Sequence, residues 1–440
     1  MLNVIKPKER NAIINSLRSG VVPQLGLQHI QVGRAKEIES LKSNIDSIAD
    51  GGTAFRFVIG DYGSGKTFFM QLVKGVALEK GLVTMHADLD PNKRLYGRDG
   101  QVRHLFSELI SNISTRTKQN GGALVNILEK FISVARTIAE KSNKSVDEII
   151  HFRLRELNEY VGGYDFAKVV AKYWDGYNSS NDNLKDSALR WLKGEYTTKT
   201  DALRDLGIRT YIDDTSFYDS LKLYAVLARK AGYKGLLVCL DEMVNLYKIA
   251  TSQSRKNNYE EILKMLNDSL QGNFSGIGFI MGGTPDFLTD STKGLYSYEA
   301  LKTRLEENNF AKQLSVVDYN STVIRLSNLT KEELYLLLQN LRYVFASGDK
   351  EKYLVPDEAL VAYLNHCSEK IGDSYFRTPR PTIKQFLDLL SLLEQNPNVK
   401  WSDAVEYVEI APDCEETEVG AMAERVSSNY SGDEFSTFKL

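Results

Sequence analysis

The sequence predicts an α/β protein built on a parallel sheet, and two observations carry that reading. Short apolar runs at Phe55–Ile59, Val83–Ala87, Gly235–Leu240 and Gly276–Met281 recur along the chain, separated by stretches whose apolar residues repeat every three or four positions. The first run leads into a glycine-rich turn and then a helical stretch from Thr67 to Glu79, which is the strand, loop, helix order from which parallel sheets are assembled.

Taken in order, the first forty residues read as helix, turn, helix: Glu9 to Leu17, then Ser19-Gly20, Pro23 and Gly26, then a second helix opening near Ala35. The second strand, Val83–Ala87, ends in the polar Asp88-Leu89-Asp90-Pro91. Between Val102 and Arg229 the pattern is mostly helical, with Leu124, Ile127, Leu128, Phe131, Val134 and Ile138 on one face, and is read as a long helical insertion. Tyr177–Asp186, rich in Asn, Ser and Asp, reads as a solvated loop within it. After Leu329 helices dominate to about Glu394, as in a helical or winged-helix domain. The expected organisation is an opening helical segment over 1–50, a core over 51–328 with the insertion at about 102–229, a C-terminal domain over 329–411, and an acidic, weakly periodic tail over 412–440.

Composition narrows the function classes. With 440 residues, 42% hydrophobic, 26% charged and a net charge of −3, the chain has the profile of a globular protein with a buried core, and neither a disordered nor a broadly polyanion-binding one. Cys239, Cys367 and Cys414 are far apart and odd in number, so they form no disulfide framework and no paired zinc motif, and a reducing cytoplasm is the expected compartment. The five histidines show no metal-ligand spacing. The N-terminus lacks the apolar core of a signal peptide, and no stretch is apolar for long enough to cross a bilayer, so no membrane association is expected.

The strongest chemical signal is Gly60-Asp61-Tyr62-Gly63-Ser64-Gly65-Lys66-Thr67, which fits G-x-x-x-x-G-K-[ST] between an expected strand and an expected helix. Glycines let successive backbone N–H groups turn toward phosphate oxygens, and the helix that follows adds its positive terminus. Lys66 would reach the β- and γ-phosphates of a nucleoside triphosphate, and Thr67 would hold Mg²⁺. A glycine-rich turn of no chemical purpose is the bland alternative, which the strand and helix on either side disfavour. A second, carboxylate-bearing strand is expected beside this loop, and Gly-Leu-Leu-Val-Cys-Leu-Asp241-Glu242 supplies it. Asp241 would hold the metal, and Glu242 would orient and polarise the attacking water.

Three further residues are candidates for catalytic roles. Thr284 ends the apolar run Gly276–Met281 in Gly282-Gly283-Thr284-Pro285, where it would either sense the γ-phosphate or cap the next helix. Arg304 lies where an arginine finger into a neighbouring subunit's site is often found, and equally reads as a helix-surface cation. Arg380, between Pro379 and Pro381, would reach the γ-phosphate from the C-terminal domain, with Arg377 competing for the role. The stretch Lys248–Tyr259, containing Arg255 and Lys256, reads first as a solvated loop and second as a contact to a DNA backbone.

The order of phosphate loop, Asp-Glu strand end, polar strand end and C-terminal helices resembles the AAA+ superfamily, with Asp241-Glu242 as its Walker B element and Thr284 at its sensor 1 position. Val32-Gly33-Arg34-Ala35-Lys36-Glu37-Ile38 resembles the box that helps hold adenine in the branch containing origin-recognition and STAND ATPases. More specifically, Leu17-Arg18-Ser19-Gly20-Val21-Val22-Pro23, Gly26-Leu27, Val32-Gly33-Arg34, the loop through Thr67-Phe68-Phe69, Asp88-Leu89-Asp90-Pro91 and Arg94-Leu95-Tyr96-Gly97 resemble the ATP-binding proteins of the BREX phage-defence system. The resemblance implies ATP with Mg²⁺, adenine-side contacts near Gly33 and Arg34, and Phe68 flanking the phosphate loop. It also implies hydrolysis that remodels or loads a defence complex on double-stranded DNA, other defence proteins as partners, and a homo-oligomer or hetero-complex. The alternative it leaves open is a STAND-like switch that hydrolyses slowly and signals to partner proteins.

Overall fold

The computed structural model of the chain describes residues 5–410, so Cys414 and the tail expected over 412–440 lie outside the described residues. Two units are distinguished. The larger comprises Gly33–Asp61 and Gly65–Ser327, and the smaller comprises the residues up to Val32, Tyr62–Ser64, and the residues from Asn328 onward.

The larger unit holds a five-stranded sheet of β1 (Thr53–Gly60), β2 (Val83–Asp88), β3 (Leu236–Asp241), β4 (Ile277–Gly283) and β5 (Val323–Leu326). Its order is β2-β3-β4-β1-β5, and every pairing is parallel. The first four strands are the apolar runs read from the sequence. β5 is only four residues long and carries the exposed Arg325, too short a pattern to read. β3, whose end meets the turn after β1, does not itself pair with β1. β4 stands between them, pairing with β1 at Val58↔Gly282 and with β3 at Leu240↔Met281. Chain order alone does not say which parallel strands are neighbours, because crossover connections can skip a strand position.

Alternation along the strands sorts their side chains onto two faces. On one, Val58, Leu237, Cys239 and Ile280 pack with α2 (Ala35–Ala49) and α3 (Lys66–Glu79) through Leu41, Ile45, Phe69 and Val73. On the other, Phe55, Phe57, Met85, Val238 and Phe279 join a cluster containing Phe106 of α4 (Gln101–Ser111), Phe131 of α5 (Leu124–Ser142) and Tyr224 of helix Phe217–Lys230. The helical stretch after β2 therefore covers this face together with helix Ser252–Gln271, which packs on β1, as a parallel sheet requires because both of its faces are apolar. Each buried phenylalanine there contributes roughly 2–3 kcal/mol of transfer free energy.

Two stretches read as loops are helical. Over Tyr177–Asp186 one helix runs to Asn178 and the next begins at Asp182, where Asn181 accepts the N–H of Leu184. The Asn and Asp residues that suggested a loop are capping a helix start. Over Lys248–Tyr259, helix Ser252–Gln271 takes up most of the segment and turns Arg255 inward, where it is buried and donates to the Ile249 carbonyl at 2.6 Å. Arg255, Tyr259, Ile262 and Leu266 form its buried face, a helical spacing masked by the polar residues between them. Arg255 is therefore a structural residue and not a surface contact for DNA.

The smaller unit contains only helices among its described residues. α1 (Pro7–Arg18) lies along helix Arg380–Gln395, with Arg18 donating to Asp388 at 2.7 Å, and Arg10 donates to the Phe345 carbonyl at 2.7 Å. Helices Lys331–Phe345 and Asp357–Ile371 are joined by the buried Arg342, which donates to the Val355 carbonyl and pairs with Asp357. No helix of the described residues is long and apolar enough to cross a membrane.

Asn258 is fully buried in the larger unit: it accepts the N–H of Tyr96 at 2.8 Å, and donates to the Tyr96 carbonyl at 3.0 Å and the Ser254 carbonyl at 2.9 Å. Replacing it with alanine leaves two backbone groups of Tyr96 without their partner. Asn258→Ala is expected to cost about 2–3 kcal/mol, read as a lower urea midpoint, with little change in the far-ultraviolet circular dichroism of the folded protein.

Candidate functional site

The site is assembled where β1, β3 and β4 end. β1 stops at Gly60 and α3 starts at Lys66, and the turn joining them depends on Gly63 and Gly65, whose φ values are 80° and 82°. L-residues avoid that region, so glycine is required at both positions. Lys66 folds back over the turn and donates through Nζ to the carbonyls of Gly60 and Asp61, each at 2.9 Å. Burial holds its pKa below the ordinary value, against the pull of Asp241, Glu242 and Asp61.

Thr67, one residue into α3, donates its hydroxyl to Asp241 Oδ2 at 2.9 Å, and the other oxygen of Asp241 accepts the N–H of Glu242 at 2.9 Å. This bond spans a strand, since β4 separates β1 from β3. Gly282 of β4 makes the crossing possible: a Cβ built there would stand 2.2 Å from Asp241 Oδ1 and 2.8 Å from Met70 Sδ. Glu242 is exposed and adopts φ 56°, a left-handed conformation that costs a non-glycine residue on the order of 1 kcal/mol or more and tends to mark functional sites.

Two groups that the sequence reading did not single out complete the surroundings. Asp88 ends β2 directly opposite Asp241 in the strand register. It keeps access to solvent, yet desolvation by its neighbours, and then the charges of Asp241 and Glu108, push its pKa up to about 6, with Lys93 opposing. Deeper under α3 the buried Lys74 bonds His86 Nδ1 at 3.3 Å. Burial and the Lys74 charge bring the His86 pKa down to about 4, so the ring is neutral near pH 7 and accepts from the ammonium. Burial pushes the nearby Cys239 thiol up to about 12. A cavity of about 20 Å³ runs along this polar seam, bordered by Thr67, Asp241, Asp88, His86 and Lys74.

The remaining candidates fall as follows. Asp61 is exposed, Ser64 buried and Phe68 half-buried on α3. Gly33 and Arg34, with φ of 61° and 59°, turn the chain into α2, and Arg34 donates to the Ser327 carbonyl at 2.9 Å, beyond the end of β5. Thr284 caps helix Pro285–Thr289, its hydroxyl accepting the N–H of Phe287 at 3.4 Å. Arg304 is an exposed cation that donates to Asn267 at 2.8 Å and to the Ala300 carbonyl at 2.7 Å. Within the smaller unit, Arg380 donates to the Tyr62 hydroxyl at 3.0 Å, whereas Arg377 pairs with Asp373 at 3.7 Å on the surface. The structure thus joins Lys66, Thr67, Asp241 and Glu242 into one cluster and leaves Arg304 apart from it, on the helix Glu299–Leu305.

A five-stranded parallel sheet, with a glycine-rich loop between β1 and α3 and an acid-bearing strand end bonded to the start of that helix, is consistent with the P-loop class of nucleotide-binding α/β proteins. The sequence model of one family, the BREX system ATP-binding protein BrxC/D, matches residues 5–409, and the chain belongs to that family. No curated protein matches it.

Two outcomes test the geometry. Gly282→Ala drives a methyl group into the Asp241 carboxylate, and is expected to lower the thermal midpoint, with a cost of about 1–3 kcal/mol. Gly75→Ala is the control, since a Cβ on that α3 residue meets nothing within 4 Å, and should not lower it. Asp88 gives a pH signature. Its raised pKa means that the folded state holds the proton more tightly, so the stability it contributes is full below its ordinary 3.8 and is lost as pH rises through about 6. Urea unfolding with a chelator present should show Asp88→Asn more stable than the parent at pH 7.5, and that advantage should vanish by pH 3.5.

Proposed function

We propose that the chain binds ATP with Mg²⁺ through Gly60–Thr67 and hydrolyses it, using the energy to remodel or load a BREX defence complex on DNA. The hydrogen bond from Thr67 to Asp241 carries this reading, because it brings together a hydroxyl and a carboxylate of the hard-oxygen kind that suits Mg²⁺. Membership of an ATP-binding family of the BREX system supports the nucleotide and the setting.

In this reading the backbone N–H groups of the turn and the N-terminus of α3 receive the phosphates. Lys66 exchanges the carbonyls of Gly60 and Asp61 for phosphate oxygens. Thr67 and Asp241 would hold the metal, which when bound would offset the charge of the phosphates. Glu242 takes a proton from the attacking water. Thr284, which uses a lone pair to cap its helix, still has its O–H to donate to a phosphate oxygen. Gly33 and Arg34 stand on the adenine side. Arg304 would serve a neighbouring subunit's site only by exchanging its bonds to Asn267 and Ala300. The DNA component rests on the family setting and on no basic surface, given the net charge of −3 and the buried Arg255.

The test is steady-state ATP turnover by the purified chain, with and without double-stranded DNA, beside Glu242→Gln and Lys66→Ala. Turnover is expected in the parent, a loss of at least about 100-fold in Glu242→Gln with ATP still bound, and lost binding in Lys66→Ala. A single round of hydrolysis with retained ADP would instead identify a nucleotide-operated switch.

A further inference from the structure

Tyr62 and Gly63, in the middle of the glycine-rich turn, belong to the smaller unit, and the contacts that define this are specific. The Tyr62 hydroxyl accepts a bond from Arg380 at 3.0 Å, and the guanidinium carbon stands 5.6 Å from the centre of the Tyr62 ring. Beside it, Gly63 lies so close to the chain at Thr378 that a Cβ would come within 3.0 Å of Thr378 Cα and 3.2 Å of the Arg377 carbonyl oxygen. These partners are backbone atoms and cannot move aside as a flexible side chain would. The anchor is also stiff. Arg380 opens helix Arg380–Gln395 between Pro379 and Pro381, whose rings fix their φ angles, and the Thr378 hydroxyl is tied to the Ser374 carbonyl at 3.0 Å.

We propose that Tyr62 is a positioning residue: Arg380 clamps its hydroxyl, and with Thr378 packed on Gly63 this sets the backbone of the phosphate-binding turn before nucleotide arrives. The proposal rests on the reading of Gly60–Thr67 as the ATP site, and assigns Arg380 to holding the loop. A turn of glycines and small residues has wide backbone freedom, and ordering it on binding would weaken affinity. Tethering two of its central residues removes part of that cost in advance. The effect belongs to binding and not to the chemical step, because neither Tyr62 nor Arg380 need touch the reacting atoms for the turn to be held.

The experiment is a double-mutant cycle in the full chain. Tyr62→Phe keeps the ring and removes the hydroxyl, and Arg380→Met keeps the stem and removes the guanidinium. Two quantities are read: equilibrium affinity for ATP with Mg²⁺, and amide hydrogen exchange of the peptide spanning residues 60–67 without nucleotide. Each single variant should bind ATP about 3–10-fold more weakly, as expected for one lost hydrogen bond, and the double variant no more weakly than the worse single one. Exchange of the loop peptide should quicken in all three variants to a similar extent, and Arg380→Lys should recover part of the loss. Losses that multiply in the double variant, or loop exchange that does not change, would overturn the clamp. If the parent binds no ATP, the proposed function fails, and the exchange cycle alone decides whether Arg380 holds Tyr62.

Discussion

Asp241 reaches Thr67 across β4, and that crossing governs the geometry of the whole site. The carboxylate stands on β3, two strand positions from the turn it serves, and occupies the space that a side chain on Gly282 would fill. For the two oxygens to meet at 2.9 Å, α3 must lie close to the sheet. It does so because Phe69, Met70 and Val73 pack with Ile280, Cys239 and Val58. Apolar burial thus supplies the force that brings the helix down, and a single missing side chain decides what its first turn can touch.

The same α3 face shows how polar groups are tolerated within that packing. Lys74 is buried where an apolar residue would pack well, and its ammonium is expensive there unless it finds an acceptor. His86 supplies one, because its ring is neutral near pH 7 and offers the Nδ1 lone pair. At the rim, Asp88 and Asp241 face each other across β2 and β3, so like charges sit side by side. Asp88 responds with a raised pKa, to which desolvation contributes most and the neighbouring carboxylates Asp241 and Glu108 add.

Much of this was legible in the sequence because the signals are local. The turn needs Gly63 and Gly65 for their positive φ, and the pattern Gly60–Thr67 states that requirement directly. Four strands announce themselves by apolar runs long enough to be buried on both faces. Arg255 shows where local reading fails: with Lys256 and Asn257 beside it, it looks like part of a polar loop, and only the helix Ser252–Gln271 shows that it points inward with Tyr259 and Ile262. Asn181 fails in the same way, since a polar side chain at a helix start and one in a loop have the same composition.

By itself the sequence determined four of the five strands and the glycine-rich turn after the first, and it nominated the acids at the end of β3, because each of these signals lies within about one turn or one strand. The tertiary structure alone decided that β4 lies between β1 and β3, that Gly282 must lack a side chain, that Asp88 faces Asp241, and that Tyr62 meets Arg380, 318 positions away along the chain. Those facts depend on strand order and on close approach between distant segments. Such contacts form only when the apolar faces of the sheet and helices are buried together, and no local pattern encodes which distant segments they will join.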